Sequence, residues 1–199
     1  MLLMLTTKAP PPIYQLKTTL LESNPLIWRR IQVPGSMRLC CLHSAIQVVM
    51  GWKDCHLHRF EKDGYLWGVP EHDEFVDHRM IDESKMHLAR LFNVEGDSMI
   101  YVYDYGDNWR HEIVLEKVIP VKDVVKTPIC LAGARRCPPE DVGGASGYER
   151  FLEIIFNPCH KDFRDLMTWA GGAFQAEEFD VQAVNGILSG MRWPIRHKR

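Results

Sequence analysis

Apolar and polar residues alternate over 26–33. Ile27, Arg29, Ile31 and Val33 share one side and Leu26, Trp28, Arg30 and Gln32 the other, which is the period of a β-strand. A second strand-like run, 13–21, precedes it. Glu22-Ser-Asn-Pro25 between the two is a strong turn signal, so the pair predicts a hairpin. From residue 39 the period changes. Leu39, Leu42, Ala45, Ile46, Val49 and Met50 recur at helical spacing, and Gly51 supplies a left-handed stop. The runs 55–61 and 65–69 flank Lys62-Asp-Gly64, the signature of a tight second hairpin. The acidic stretch 71–83 predicts an exposed loop. A third hairpin joins 99–105 to 109–116 through Gly106-Asp-Asn108. A three-residue loop there would set Tyr105 against Trp109, Tyr103 against His111 and Tyr101 against Ile113, with Asp104 opposite Arg110 on the other face.

Beyond Pro120 the pattern becomes helical. Ser146-Gly-Tyr-Glu149 matches a capping box, and Tyr148, Phe151, Leu152 and Ile155 form an apolar stripe that Asn157-Pro158 ends. A helix over 160–170 carries Phe163, Leu166 and Met167 and stops at Gly171-Gly172. A last one starts at Asp180 as N-cap, with Phe179 and Val184 spaced as a hydrophobic staple. Strands early and helices late predict an α+β fold: an antiparallel sheet of hairpins covered by the 39–50 helix and by C-terminal helices. The organisation expected is a leader over 1–12, one domain over 13–190 and a basic tail over 191–199.

Composition narrows the classes. With 199 residues, 46% apolar and 25% charged, the chain is globular rather than disordered or fibrous. Its apolar runs fall short of the roughly 18 residues that span a bilayer, and Met1-Leu-Leu-Met-Leu5 lacks a basic signal-peptide flank. A cytosolic protein with no membrane partner is expected. Six cysteines without a Cys-x-x-Cys pair then read as reduced thiols or ligands rather than a disulfide framework. A net charge of -2 disfavours duplex binding through the whole surface. Only the tail, with Arg192, Arg196, Lys198 and Arg199, offers a weak nucleic-acid contact.

Several constellations could carry chemistry. His56 and His58 lie two apart on a predicted strand and project from one face with Phe60. With Asp107 and His111, or with Asp104 or His72, they could hold a divalent metal; the plainer reading is a pair of sheet-surface histidines. Tyr101, Tyr103, Tyr105 and Trp109 form either a stacking platform, which would make Tyr103 and Trp109 ligand-binding residues, or simply core. Gly143-Gly-Ala-Ser-Gly147, opening a helix, presents backbone N–H groups suited to an anion, so Gly143, Gly144 and Ser146 join the ligand-binding candidates. Glu140, Asp141 and Tyr148 beside it are the catalytic candidates. Two functions follow. One is a binding or accessory module with a groove between the 101–111 hairpin and the 137–148 loop. The other is a metal-dependent hydrolase of phosphoesters, with His56, His58, Asp107 and His111 as ligands and Glu140 or Asp141 as base.

Five separated motifs add a resemblance. Ile27-Trp-Arg-Arg-Ile-Gln-Val-Pro34, His56-Leu-His-Arg-Phe60, Tyr103-Asp-Tyr-Gly-Asp-Asn-Trp-Arg-His111, Cys130-Leu-Ala-Gly133 with Cys137-Pro-Pro-Glu-Asp-Val-Gly-Gly144, and Trp169-Ala-Gly-Gly172 with Phe179-Asp180 together resemble the Ri-plasmid ORF-three-like family. Its members are often labelled TnpR-type resolvases or mobile-element passenger proteins. The resemblance spans roughly 13–190 and implies an α+β domain associated with plasmids or mobile elements. The resolvase label lacks its chemistry here. Ser23 precedes Pro25 with no Arg-x-Ser motif, and Tyr148 is the last tyrosine, so neither recombinase nucleophile is in its expected setting.

Overall fold

The computed structural model describes residues 10–70, 80–123 and 127–193, and the expected leader and basic tail fall largely outside that range. In chain order the strands are β1 (Ile13–Leu20), β2 (Ile27–Pro34), β3 (His58–Lys62), β4 (Tyr65–Gly68), β5 (Met80–Asp82), β6 (Ser98–Tyr103), β7 (Trp109–Ile119) and β8 (Ile129–Ala134). The helices are α1 (Leu39–Met50), α2 (Gly144–Ile155), α3 (Phe163–Trp169) and α4 (Val181–Gly190). The strands form one sheet in the order β5-β4-β3-β6-β7-β1-β2-β8, antiparallel except where β5 runs parallel to β4. The fold is α+β, with one early helix and three late ones.

The alternation in β2 becomes a two-faced sheet. Ile27, Ile31 and Val33 are fully buried with Leu16 and Leu20 of β1, and burial of each such side chain contributes about 2 kcal/mol. Trp28, Arg30 and Gln32 line the opposite, polar face. There the Arg30 guanidinium grips both Glu116 carboxylate oxygens, at 2.5 and 2.8 Å, and Gln15 donates to the same carboxylate. Helix α1 covers the apolar face, burying Leu39, Leu42, Ala45, Ile46 and Val49. It ends as its sequence dictates: Gly51 takes φ 90° and donates its N–H to Gln47.

Arg29 lies on the apolar face, 1% exposed. Its guanidinium donates to the carbonyls of Val49 (2.6 Å), Trp28, Ala134 and Arg135 (2.8 Å each), and the Phe179 ring stacks on it at 3.8 Å. One side chain thereby ties β2 to the end of α1 and to the chain leaving β8. On the far side of β8, the Asn185 carboxamide of α4 accepts from the Cys130 N–H and donates to the Cys130 carbonyl, both at 2.8 Å.

The structure corrects several local expectations. The third hairpin pairs Tyr103 with Trp109, Tyr101 with His111 and Met99 with Ile113, so its loop has five residues, 104–108. The loop is longer because Asp104, at φ 58°, leaves the strand and its Oδ1 accepts from the Gly106 N–H. Arg110 accordingly faces Val102 and donates to Glu61, not to Asp104. Strand β3 begins at His58, so His56 lies in the irregular segment before it. Part of the expected acidic loop is strand β5, with Glu83 buried after it; 71–79, His72 included, lie outside the described residues. The capping box at Ser146 falls inside α2, whose N-cap is Gly143. Asp180 does cap α4, accepting from the Gln182 and Ala183 N–H groups.

Candidate functional site

Three irregular segments meet at His56: the 52–57 connection after α1, the 104–108 loop, and the 135–143 chain between β8 and α2. The His56 Nε2 atom lies 3.6 Å from Asp104 Oδ2, 3.8 Å from Glu140 Oε2 and 3.3 Å from Asp141 Oδ1. None of these is a hydrogen bond of good geometry. His56 Nε2 and Glu140 Oε2 are both buried without one. The far oxygens of the two buried carboxylates are firmly held. Glu140 Oε1 accepts from the Lys53 N–H at 2.6 Å and the Tyr103 hydroxyl at 3.1 Å, and Asp104 Oδ1 accepts from the Gly106 and Asp107 N–H groups. The exposed Cys55 thiol joins His56 and Glu140 in a second, overlapping triad. Nitrogen, oxygen and sulfur donors of this kind can hold a divalent cation.

Beside this cluster opens a cleft of about 990 Å³ bounded by α1, β3 and β4. On its wall the His43 and His58 rings stack face to face, 3.5 Å apart and 5° from parallel. Each ends on a carboxylate: His43 Nε2 meets Asp54 at 2.8 Å and His58 Nε2 meets Glu83 at 2.9 Å. The Tyr101 hydroxyl, which accepts from Gln47, holds His43 Nδ1 at 2.8 Å. Burial, reinforced by the neighbouring His58, holds the His43 imidazole below its ordinary pKa. Leu57, Leu66, Val69, Met80 and Tyr105 make the apolar remainder of the lining.

Other candidates from the sequence are placed elsewhere. His58 pairs with Glu83 and belongs to no three-donor cluster among the described residues, nor do Asp107 and His111. His111 is wholly buried beneath Tyr101, with Nδ1 against the carbonyls of Tyr101 and Trp109, and burial lowers its pKa to about 4. Asp107 accepts the Gly143 N–H at 3.1 Å, so the anion received by the glycine-rich loop is the chain's own carboxylate. Gly144, at φ 69°, packs so close that a Cβ would stand 2.8 Å from the Asp107 carbonyl. Ser146 is exposed on α2. Tyr148 is buried among Phe151 and Phe174, its hydroxyl pushed up to about 12 by burial. Tyr103 and Trp109 are core residues packed on Trp52, and only the Tyr103 hydroxyl reaches the cluster. Cys137 lies beneath Arg29, and burial raises its thiol to about 12.

His43, Asp54 and Glu83 belong to no motif in the sequence. A signal for one of them existed: His43 and Gln47 are polar residues at i and i+4 on the apolar stripe of α1, where only a satisfied network is tolerated.

The chain has relatives. Residues 12–183 match the family model described as plasmid pRiA4b ORF-3-like protein. The chain is 33% identical over 173 residues to the uncharacterized protein y4hQ of Sinorhizobium fredii (strain NBRC 101917 / NGR234), covering 87% of this chain and 86% of that one. It is also 40% identical to a protein of unknown function, MM3350 of Methanosarcina mazei Go1, whose crystal structure superposes with a TM-score of 0.77 over 86% of this chain and 97% of the other. Among the described residues no helix is long and apolar enough to cross a membrane. On the family match and both likenesses, the chain belongs to the plasmid pRiA4b ORF-3-like family.

Proposed function

We propose that the protein is a binding module whose cleft takes a small molecule with an apolar body and a cationic head. The observation that carries the reading is the stacked His43–His58 pair with Asp54 and Glu83 at its ends, set in the wall of the cleft. About 990 Å³ lies at the upper end of the range for small-molecule sites, and the lining sets Leu57, Leu66, Val69, Met80 and Tyr105 beside a group of polar and charged side chains. Among the described lining residues, three carboxylates (Asp54, Glu61, Glu83) outnumber one guanidinium, and Arg59 is already bonded to Glu61 at 2.7 Å. Asp54 is the accessible acid, its side chain 59% exposed. An ammonium group reaching Asp54 while its alkyl body covers Leu57 and Leu66 satisfies both halves of the lining.

Titration with hexylamine and hexanoate, matched in length and opposite in charge, tests the reading. The amine is expected to bind and to raise the melting temperature, and hexanoate is not. Asp54→Asn should weaken the amine about tenfold, or about 1.4 kcal/mol. Leu66→Arg, which places a cation in the cleft, should abolish binding. Equal binding of both probes, or an L66R variant that still takes the amine, would overturn it.

A further inference from the structure

We infer that the His56 cluster is a binding site for a zinc-class divalent cation. The donors form two groups that share His56, one with Asp104 and Asp141 and one with Glu140 and Cys55, the donor atoms of each lying within 4.8 Å of one another, and a cation held by either group would sit against His56 Nε2. His56 also lines the cleft, but the site uses neither ring of the stacked pair, and the inference does not rest on the cleft's ligand.

The spacing is the first support. Donors about 2.1 Å from a tetrahedral zinc ion stand about 3.4 Å from one another. The three carboxylate oxygens lie 3.3, 3.6 and 3.8 Å from His56 Nε2, too far for strong hydrogen bonds and close to the separation that a shared cation imposes. Burial is the second. The Glu140 side chain is 9% exposed, yet its Oε2 has no hydrogen-bond partner and is directed at His56, whose own Nε2 is buried and unpartnered too. Leaving two buried polar atoms so close and unsatisfied is costly for a chain that satisfies the other oxygen of the same carboxylate twice over.

Orientation is the third support. Asp104 and Glu140 each spend one oxygen on N–H or O–H donors and turn the other inward, as metal-binding carboxylates do when outer hydrogen bonds fix their rotamers. Charge is the fourth. Three carboxylates gather around one imidazole, an excess of negative charge that a divalent cation offsets. The donor types choose the metal. Magnesium and calcium favour all-oxygen shells, whereas an imidazole with a thiol nearby suits zinc, or cobalt as its spectroscopic substitute. Asp141 is 71% exposed on its side chain, so the cation would face solvent on that side and could exchange a weakly held donor for water.

The test uses the full chain, stripped with a chelator and titrated with Zn²⁺ alone in the presence of a competing colorimetric chelator. About one zinc per chain is expected, with a rise in melting temperature. His56→Ala and Glu140→Gln should each weaken zinc at least tenfold. Asp141→Asn is the safeguard against misfolding, because that side chain is largely in solvent; it should keep the apo melting temperature and still lose affinity. His160→Ala, outside both donor groups, should bind as the parent does. Cobalt loading should give the visible absorption of a low-symmetry N/O site, lost in His56→Ala. Sub-stoichiometric zinc in the parent chain would overturn the assignment, as would zinc affinity unchanged in both His56→Ala and Asp141→Asn. Because no amine is present, failure here leaves the cleft reading standing, and the reverse also holds.

Discussion

Replacing Arg29 with methionine removes a buried cation while keeping most of its apolar stem. Two of its four acceptors, the carbonyls of Val49 and Arg135, are in buried bonds, whereas those of Trp28 and Ala134 are only partly covered and can be rehydrated. An orphaned buried acceptor costs about 1–3 kcal/mol, so the two together cost about 4 kcal/mol. The Phe179 stacking adds about 1 kcal/mol more. Relief of guanidinium desolvation works in the opposite direction, and burial already lowers the Arg29 pKa. A net loss of about 4 kcal/mol is a large share of the 5–15 kcal/mol typical of a domain. In urea, with a slope of about 2 kcal/mol per molar, the midpoint should fall by about 2 M at unchanged slope. Arg29→Lys, which keeps the charge but not the planar fork, should lose about half as much. Arg29 also anchors Ala134 and Arg135, where the chain sets out toward Glu140 and Asp141, so zinc affinity should fall with stability in both variants. An R29M midpoint within about 0.5 M of the parent would refute the view that this guanidinium fastens the layers together.

His111 gives a pH signature. Its folded pKa of about 4 lies below the ordinary 6.5, so the unfolded chain binds the extra proton and stability falls as pH drops from about 6.5 toward about 4. The full loss is about 3 kcal/mol, and His111→Asn should flatten that limb in urea titrations at stepped pH. Asp180→Ala removes two N-cap hydrogen bonds from α4 and should lower stability by about 1 kcal/mol in chemical denaturation. Native alkylation followed by mass spectrometry should label Cys55 and Cys159 first and Cys130 and Cys137 only on unfolding, because the first two are exposed and burial raises the thiol pKa of the others.

The parts of the fold governed by periodicity were legible. The alternation in β2, the helical stripe ended by Gly51 and the Asp180 cap all read directly, because local spacing decides which face is buried. The parts governed by competing local bonds were not. Asp104 leaves its strand to satisfy turn N–H groups, which lengthens the hairpin loop by two residues and moves every facing pair. The same departure delivers its carboxylate to His56. Of the metal candidates, His56 lies near the carboxylates of Asp104, Glu140 and Asp141, whereas Asp107 and His111 are placed elsewhere. His58 enters a buried network with His43 and Glu83, a tertiary encounter that no spacing in the chain encodes.

The Asn185 carboxamide occupies both the donor and the acceptor of Cys130 on the outer border of β8. A strand left open at that border would offer its main chain to another molecule as a template. In this chain a single side chain from the last helix imitates the pairing that a ninth strand would bring, and the sheet stops growing there. Loss of α4 should therefore lead to self-association: the truncated chain is expected to keep its strands and to add copies of itself along β8. The open border of the sheet, in this protein, is guarded by α4.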